Sequence, residues 1–505
     1  MLEFKGNVVK QVTTQVTAFG RRSTDPWSED QPIRSALFSE EQLARHAMSL
    51  ADSHMVSRRA KPVVSLLQRM RDNASVLGEC YLALSRAAAS GGPMSPASEW
   101  LIDNFHTLEE NTRLARRDLP RGYFSQLPKL GPGALAGHPR IFAIVWAYVA
   151  HTDSLFHPDQ LARYISAYER RKALTLGELW AVPINLRILL IENARRQAQL
   201  LVAATRHRQQ GDELADQLLG LDRPSPVEFD KSLLPAEQTG QASRAFCVQL
   251  LRRLSGQVIA GFDDWLEGQL ALLGGLAESV IQEDLAAQSV ATVTMRNIFH
   301  SLRLVNDVNW EDWLESMSAI EAELRISTGY RELDFATRNS YRSAIERLAR
   351  GSGQEELDVA RAVISVARES PDDVGRDIGF WLVDDGLPSF ETDLGYRPTL
   401  REHRVRLIKA MGLPGYVGSL LLATALVVGL LLWAMTALAG DLSIGMVVAL
   451  AVLAGGPASE LVLALLNYVL SRILPTTARP GLALRNGVPD ALRTLVVVPT
   501  MITSA

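Results

Sequence analysis

Acidic side chains are the residues of this sequence that come closest to a catalytic set. In inverting glycosidases built from helices, two carboxylates about 6.5–9.5 Å apart protonate the leaving sugar and activate a water molecule. Loops that connect helices present such carboxylates. The candidates in this chain are Asp103, Asp118, Asp153 and Glu178. An all-α glycoside hydrolase is therefore one function that the residue types leave open.

His151 and Asp153 have the residue types of an acid–base pair but not its spacing. Residues two apart do not face each other on a helix, and no Ser or Cys nucleophile motif accompanies them. The spacing favours hydrogen bonding at a helix end. The sequence also contains no phosphate-binding loop, GxGxxG motif or metal-ligand spacing. Its two cysteines, Cys80 and Cys247, favour small buried side chains in a reducing compartment.

The segment 118–139 offers a surface for docking rather than for chemistry. It contains four prolines, four glycines and two adjacent aromatic residues. A loop of that length in a compact domain is usually functional or disordered, and the aromatics argue against disorder. We expect an ordered loop that wraps a neighbouring element, with docking as the alternative. The docking residues would be Arg117, Asp118, Arg121, Tyr123, Phe124 and Lys129.

The composition is that of a globular protein with room for two or three domains. The chain has 505 residues, of which 47% are hydrophobic and 21% charged, and its net charge is −4. It has no basic domain and no basic tract interleaved with aromatics, so nucleic acid is not an expected partner.

The hydrophobic pattern predicts a mainly α fold, a multi-helical soluble domain followed by a two-helix transmembrane hairpin. Apolar residues recur at three- and four-residue steps, without the alternation of βαβ units. Residues 1–60 read as a mobile arm with one short helix at 40–55, and 61–395 as a cytoplasmic helical domain. Within that domain the segment 379–394 has a short apolar run and an Asp-Gly turn, which indicates a small β-hairpin.

The transmembrane hairpin is predicted within 396–475, with spans at about 416–439 and 444–470. About 20 apolar residues cross a bilayer core, and both runs are long enough. The second run contains Gly455-Gly456-Pro457 and the carboxyl of Glu460. An ionisable residue at membrane depth is a functional-site hypothesis. A helix that bends at the glycines and turns Glu460 into a protein-facing or interfacial pocket is the favoured interpretation.

Basic residues flank the hairpin on both sides, and the turn near Asp441 has none. They are Arg397, Arg401, Arg404, Arg406 and Lys409 before it, and Arg472, Arg479 and Arg485 after it. Under the positive-inside rule, both ends lie in the cytoplasm. No cleavable signal precedes the first helix. Residues 476–505 read as a linker and one buried strand at 495–498, and we expect that the rest of the domain begun there is missing.

Several stretches together resemble the N-terminal part of cyclic β-1,2-glucan synthases. The main ones are SPASEWLIDNFHTLEEN (95–111), RRDLPRGYFSQLPKL (116–130), GHPRIFAIVWAYVAHTDS (137–154) and LTLGELWAVPINLRILLIEN (174–193), with weaker matches at 301–318, 333–342 and 379–388. The hairpin and RTLVVVPT (493–500) lie where the family has membrane spans and the start of its glycosyltransferase domain.

The resemblance implies a bacterial inner-membrane enzyme that uses UDP-glucose to build an osmoregulated periplasmic glucan. In the family, Mg or Mn and the catalytic carboxylates belong to the transferase domain, so no catalytic residue or cofactor is carried over to this chain. We expect this chain to be the helical and membrane-anchoring portion, without transferase activity by itself. It would reach UDP-glucose only through the rest of the synthase. A stand-alone membrane-anchored adaptor is the alternative.

Overall fold

The computed structural model confirms the mainly α fold class. It describes residues 31–57, 66–117, 124, 127–133, 135–221, 228–327, 329–440, 443–474, 480–484, 487, 488, 490 and 493. The first 30 residues of the arm predicted over 1–60, and the strand predicted at 495–498, lie outside these residues. By its internal contacts the chain divides into two compact units, Met1–Ser318 and Ala319–Ala505.

The first unit contains twelve helices among the described residues and one pair of two-residue strands. The strands β1 (Val56–Ser57) and β2 (Lys129–Leu130) are antiparallel. The helices are α1 (Glu40–Ser53), α2 (Leu66–Ala89), α3 (Pro96–Asp103), α4 (Phe105–Arg117), α5 (Arg140–His151), α6 (Pro158–Glu169), α7 (Leu176–Trp180), α8 (Val182–Leu219), α9 (Arg244–Arg253), α10 (Phe262–Leu272), α11 (Ala277–Asp307) and α12 (Trp310–Met317).

Helix starts in this unit follow the capping residues of the sequence. Ser95 is the N-cap of α3, and its hydroxyl accepts from the backbone N–H of Ser98 at 3.3 Å. Pro183 lies in the first turn of α8, where its missing N–H leaves no hydrogen bond unmade. Pro158 opens α6 in the same way. The proline near the start of α8 therefore marks a beginning rather than a kink.

Helix α8 is the central element of the first unit. From Val182 to Ala198 every residue except Pro183 is buried, because α2, α5 and α11 pack around this half of the helix. The other half joins a second hydrophobic cluster with Phe246 and Phe262. Gly211 permits this packing, since a Cβ there would lie 3.1 Å from the Cβ of Gln249.

The second unit begins with a small group of helices, and it corrects one prediction. These helices are α13 (Ala319–Leu324), α14 (Phe335–Ser352), α15 (Glu356–Glu369), α16 (Ile378–Val383) and α17 (Leu387–Asp393). The β-hairpin predicted at 379–394 is wrong. Ile378 and Leu382, four residues apart, are both buried, so the segment follows helical periodicity, and Asp377 caps α16 through the N–H of Gly379 at 2.8 Å.

Two long helices, α18 (Leu400–Ala439) and α19 (Ile444–Ile473), complete the second unit. Both are long and apolar enough to cross a membrane. They pack against each other, and Tyr416 Oη donates to Asn467 Oδ1 at 2.9 Å. Helix α19 continues through Pro457. After the hairpin, the chain returns to α14, where the Gly481 N–H donates to Thr337 Oγ1 at 2.8 Å.

Candidate functional site

The most concentrated group of charges in the first unit surrounds Glu192 on α8. Arg69 of α2 approaches both oxygens, with Nη2–Oε1 at 2.8 Å and Nε–Oε2 at 3.0 Å. Asn73 Nδ2 also donates to Oε2, at 2.7 Å. From α8 itself, Arg195 and Arg196 donate to Oε1 at 2.9 and 2.8 Å. The carboxylate is fully buried, so these contacts replace its hydration.

The electrostatics of this group leave Glu192 ionised at neutral pH. Burial favours the protonated form, but the hydrogen bond from Arg69 and the charges of the three arginines outweigh burial and lower the pKa to about 2. Arg196 also lies over the Trp146 ring, 5.4 Å from its centroid. A carboxylate held in this way neither gives nor takes a proton near neutral pH, so its role is to join α2 to α8.

Glu178, a candidate for hydrolysis, is held in a comparable pair. Arg140 Nε donates to Oε1 at 2.8 Å, and Arg140 Nη2 contacts Oε2. Oε2 also accepts from the N–H of Thr175 at 2.9 Å, which completes a capping box for α7. Glu178 is fully buried. With both oxygens occupied and no exposure to solvent, it has no access to a substrate.

Asp153 is likewise committed to local structure. Its Oδ1 accepts from Thr294 Oγ1 at 2.7 Å and lies 3.4 Å from Arg34 Nε. Its backbone carbonyl accepts from Asn297 Nδ2 at 3.1 Å. Burial raises the pKa of this carboxyl. These contacts fasten the turn between α5 and α6 to α11, and they hold Asp153 at a φ of 50°.

His151 contacts a different set of residues. Its Nδ1 donates to the carbonyl of Ala36 at 2.7 Å, and its ring stacks on Phe38 at 3.8 Å. His46 meets the same ring edge-on at 4.7 Å. Burial lowers the pKa of His151, which favours a neutral ring. The hydrogen bond places His151 at the end of α5 as a contact to the segment before α1.

The remaining hydrolase candidates do not complete a pair. Asp103 is exposed on α3, and Asp118 lies outside the described residues. Asp153 and Glu178 have no hydrogen-bond partner in common. Asp153 and Glu178 therefore lie in separate hydrogen-bond networks rather than in a shared pair.

The predicted docking loop can be followed in its second half. Leu130 pairs with Val56 of β1 and exchanges backbone hydrogen bonds of 2.9 Å with Gly137 and His138. Lys129 is half-buried in β2. The described residues 127–133 and 135–139 thus pair with β1 and bond to each other, and the order expected of the whole segment stays a prediction.

The proposed docking residues are only partly visible. Phe124 is half-buried and packs against the core of the first unit, and Arg117 is exposed at the end of α4. Asp118, Arg121 and Tyr123 lie outside the described residues. Docking at this loop stays a prediction.

Two open clefts lie beside α3 and α4. One, of about 520 Å³, is lined by Tyr81, Phe105, His106 and Glu109, among others. The other, of about 400 Å³, is bordered by Trp100, Arg296, His300 and Arg303. Neither lining contains two carboxylates. Among the residues with described positions, no three His, Cys, Asp or Glu side chains gather as a metal site.

Sequence reasoning missed a second buried cluster, in the second unit. Glu321 Oε2 accepts from Arg342 Nη2 and from Tyr330 Oη, each at 2.8 Å, and its Oε1 accepts from Arg325 at 3.1 Å. The sequence signal that could have revealed it is a charged residue that directly follows apolar residues. Glu321 follows the apolar Ile320, just as Glu192 follows an uninterrupted apolar run in α8.

Glu460 lies near the middle of α19 and is exposed on the outside of the helix pair. Ala458 and Val462, two positions away on either side, are buried. Since residues two apart on a helix point to different sides, the carboxyl does not lie in the seam with Ala458 and Val462. The pocket expected for Glu460 is not formed by these two neighbours, and its role stays a prediction.

Comparison with known proteins gives one informative match. Over 483 residues, 93% of the chain, the sequence is 33% identical to the cyclic beta-(1,2)-glucan synthase NdvB of Rhizobium meliloti (strain 1021). The chain spans 17% of that protein's length. No family model matches it.

Replacement of Glu192 by Gln is expected to destabilise the protein by about 3–5 kcal/mol, because buried arginines would lose their counter-charge. The free energy of unfolding can be measured by denaturant titration of the full chain in detergent. Glu40→Gln is the matched control, since Glu40 and its partner Arg163 are both exposed, and we expect a change of about 0–1 kcal/mol. Equal losses in the two variants would contradict the structural role of Glu192.

Protonation of His46 is expected to lower the free energy of unfolding between pH 6.5 and about 4. Burial and the nearby His151 lower the pKa of His46 to about 4, so the unfolded chain binds a proton in this range that the folded chain does not. His46→Gln should flatten the decline in unfolding free energy across this range. The exposed His300→Gln serves as the control, and an identical slope for the native protein and His46→Gln would refute the prediction.

Proposed function

The chain belongs to the cyclic β-1,2-glucan synthase family, and on that premise we propose that it braces such a synthase and anchors it to the membrane. The observation that carries this proposal is the state of the buried carboxylates. Glu178, Glu192 and Glu321 are each held by arginine inside the protein. Such groups fix helices relative to each other and are not themselves free to act as an acid or a base.

The hairpin supplies the anchor. Arg406, just before the first span, pairs with Glu391 of α17 at 2.7 Å. Gly481, after the second span, bonds to Thr337 of α14. Since both ends of the hairpin contact the same group of helices, they lie on the same side of the membrane. The basic flanks favour the cytoplasmic side of a bacterial inner membrane.

The synthase reaction itself would belong to the rest of a longer protein. The family resemblance suggests UDP-glucose as the donor and Mg or Mn as its cation. The described residues do not fit a divalent metal site, since no three candidate ligands gather. The partners we propose are therefore the bilayer and the remainder of the synthase, and any contact with UDP-glucose would be indirect.

A stand-alone membrane-anchored adaptor is a second candidate. The observation in its favour is the turn around Leu130, which belongs to the proposed docking segment. This turn is paired with β1 by backbone hydrogen bonds. A constitutive adaptor would bind a protein other than a glucan synthase. Purification of the chain from its native membrane, with identification of the bound protein, separates the two: a transferase supports the brace, and an unrelated protein supports the adaptor.

The orientation can be tested by cysteine labelling, because Cys80 and Cys247 are both buried. Asp441→Cys, in the turn that the sequence predicts between the two spans, should react with an impermeant maleimide in intact spheroplasts. Gln257→Cys, on an exposed loop of the first unit, should react only after the membrane is permeabilised. The reverse pattern would overturn the orientation, and labelling of both sites before permeabilisation would overturn the anchor.

Catalytic assays of the purified chain should be negative. We expect no glucose incorporation from UDP-glucose with Mg or Mn, and no reducing ends released from β-1,2-glucan, because Glu178 is committed to an ion pair with Arg140 and the transferase reaction is proposed to belong to the rest of the synthase. If hydrolysis is found, Glu178→Gln decides its origin. Loss of hydrolysis in that variant, with its folding preserved, would establish the glycosidase alternative.

A further inference from the structure

Helix α18 consists of two helices separated at Gly412. This residue has φ 52° and ψ −151°, a backbone conformation that only glycine adopts readily. Pro414 follows in the first turn of the apolar segment, where a missing N–H is tolerated. Residues 400–411, which we name the juxtamembrane helix, therefore end before the span begins. The break lets this helix take a direction different from that of the span.

One face of the juxtamembrane helix is apolar and has no partner in the described structure. Leu400, Leu407 and Met411 are 82%, 58% and 49% exposed. Their spacing of seven and four residues places them on a single stripe, and the exposed Arg404 lies on the same stripe, four residues after Leu400 and three before Leu407. Val405 and Ile408 point elsewhere and are half-buried. The exposed stripe is thus a consistent feature of one side and not a set of scattered surface residues.

The charges of this helix are sorted by sign. Its only acid, Glu402, is turned inward, where Oε2 accepts from the Thr399 N–H and from Tyr396 Oη, both at 2.8 Å. Arg406 is used by Glu391. Arg401, Arg404 and Lys409 are exposed, and the described residues give them no ion pair. Arg401 and Arg404 lie beside or on the apolar stripe, whereas Lys409, seven residues after Glu402, lies on the opposite face. The side of the helix that carries the stripe is therefore apolar and basic.

We propose that the juxtamembrane helix lies in the membrane interface and binds the head groups of anionic phospholipids. An apolar stripe bordered by Arg and Lys is the pattern of helices that lie in a bilayer surface. Lipid is the indicated occupant because the stripe is continuous with the membrane span, which starts at Leu413. The unpaired cations match the negative charge of such head groups. The inference rests on the proposed membrane anchor.

The contacts that cap and pair the juxtamembrane helix also connect it to α17. Tyr396 and Thr399 hold its start, and Arg406 ties its middle to Glu391 of α17. Immersion of the apolar stripe therefore fixes the position of α17 relative to the membrane surface. Anionic lipid would thereby hold the helices of the second unit against the bilayer, instead of leaving them attached by the span alone.

The test measures the membrane depth of a spin label at Leu407→Cys in the full chain. The chain is reconstituted into phosphatidylcholine vesicles with or without roughly 30 mol% phosphatidylglycerol, an anionic lipid that attracts basic segments. With phosphatidylglycerol, the label should become accessible to oxygen and shielded from an aqueous nickel complex. Leu276→Cys, an exposed apolar position in the first unit, is the control and should stay accessible to nickel in both vesicles.

Charge removal makes the test specific. The triple variant Arg401→Gln, Arg404→Gln, Lys409→Gln is combined with Leu407→Cys. For each charge removed, the ratio of interface-bound to water-exposed label should fall roughly fivefold. The matched control removes Arg113, Arg116 and Arg252, which are also exposed, and should leave the depth unchanged. An equal depth with and without phosphatidylglycerol, or in the native and triple-variant chains, overturns the proposal. The proposal is also overturned if chemical cross-linking shows that a second copy of the chain, rather than lipid, shields the label from the nickel complex.

An alkaline carbonate wash separates this proposal from the anchor. If the chain remains in the vesicles and the label is lipid-independent, the juxtamembrane proposal fails and the anchor stands. If the wash releases the chain, the proposed membrane anchor fails, and the juxtamembrane proposal fails with it. Retention together with phosphatidylglycerol-dependent depth supports both.

Discussion

A charge that leaves water must be neutralised where it lies, and this requirement fixes the interior of the protein. Glu178, Glu192 and Glu321 are all buried, and each accepts hydrogen bonds from arginine. In the first unit the partners come from far along the chain: Arg69 and Glu192 are 123 residues apart. Loss of either member of a buried pair is costly, so few other arrangements of the helices remain available. An interior fixed in this way agrees with the bracing role proposed for the chain.

Paired carboxylates also occur in the second unit, next to the helices proposed to span the membrane. Glu391 and Glu402 each pair with groups at the start of α18, and Thr337 receives the chain after the hairpin. These contacts bind the spans to the helical group at both ends. Such a connection suits the bracing and anchoring role proposed above. This interpretation agrees with membership of the glucan synthase family.

The sequence predicts the elements of this fold better than it predicts their contacts. Helical periodicity and local caps depend on neighbouring residues, so α3, α6 and the two apolar helices could be predicted. The segment 379–394 could not, because an Asp-Gly pair and a short apolar run are compatible with either structure until Ile378 and Leu382 find their core. The buried clusters were missed because Glu192 needs Arg69 from another helix, and spacing along the chain does not reveal that contact.

Helix α8 has a consequence for the lengths that this protein tolerates. Its 38 residues extend about 57 Å at 1.5 Å per residue, and its two halves belong to separate hydrophobic clusters. One residue inserted between Leu201 and Leu214 would rotate the second half by about 100° and turn its apolar side to solvent. Seven residues, close to two full turns, would nearly restore the rotation but would move the second half by about 10 Å along the helix axis. Helix α11 also contributes to both clusters, through Met295 in the first and Val280 in the second. A change in the length of α8 therefore requires a matching change in α11.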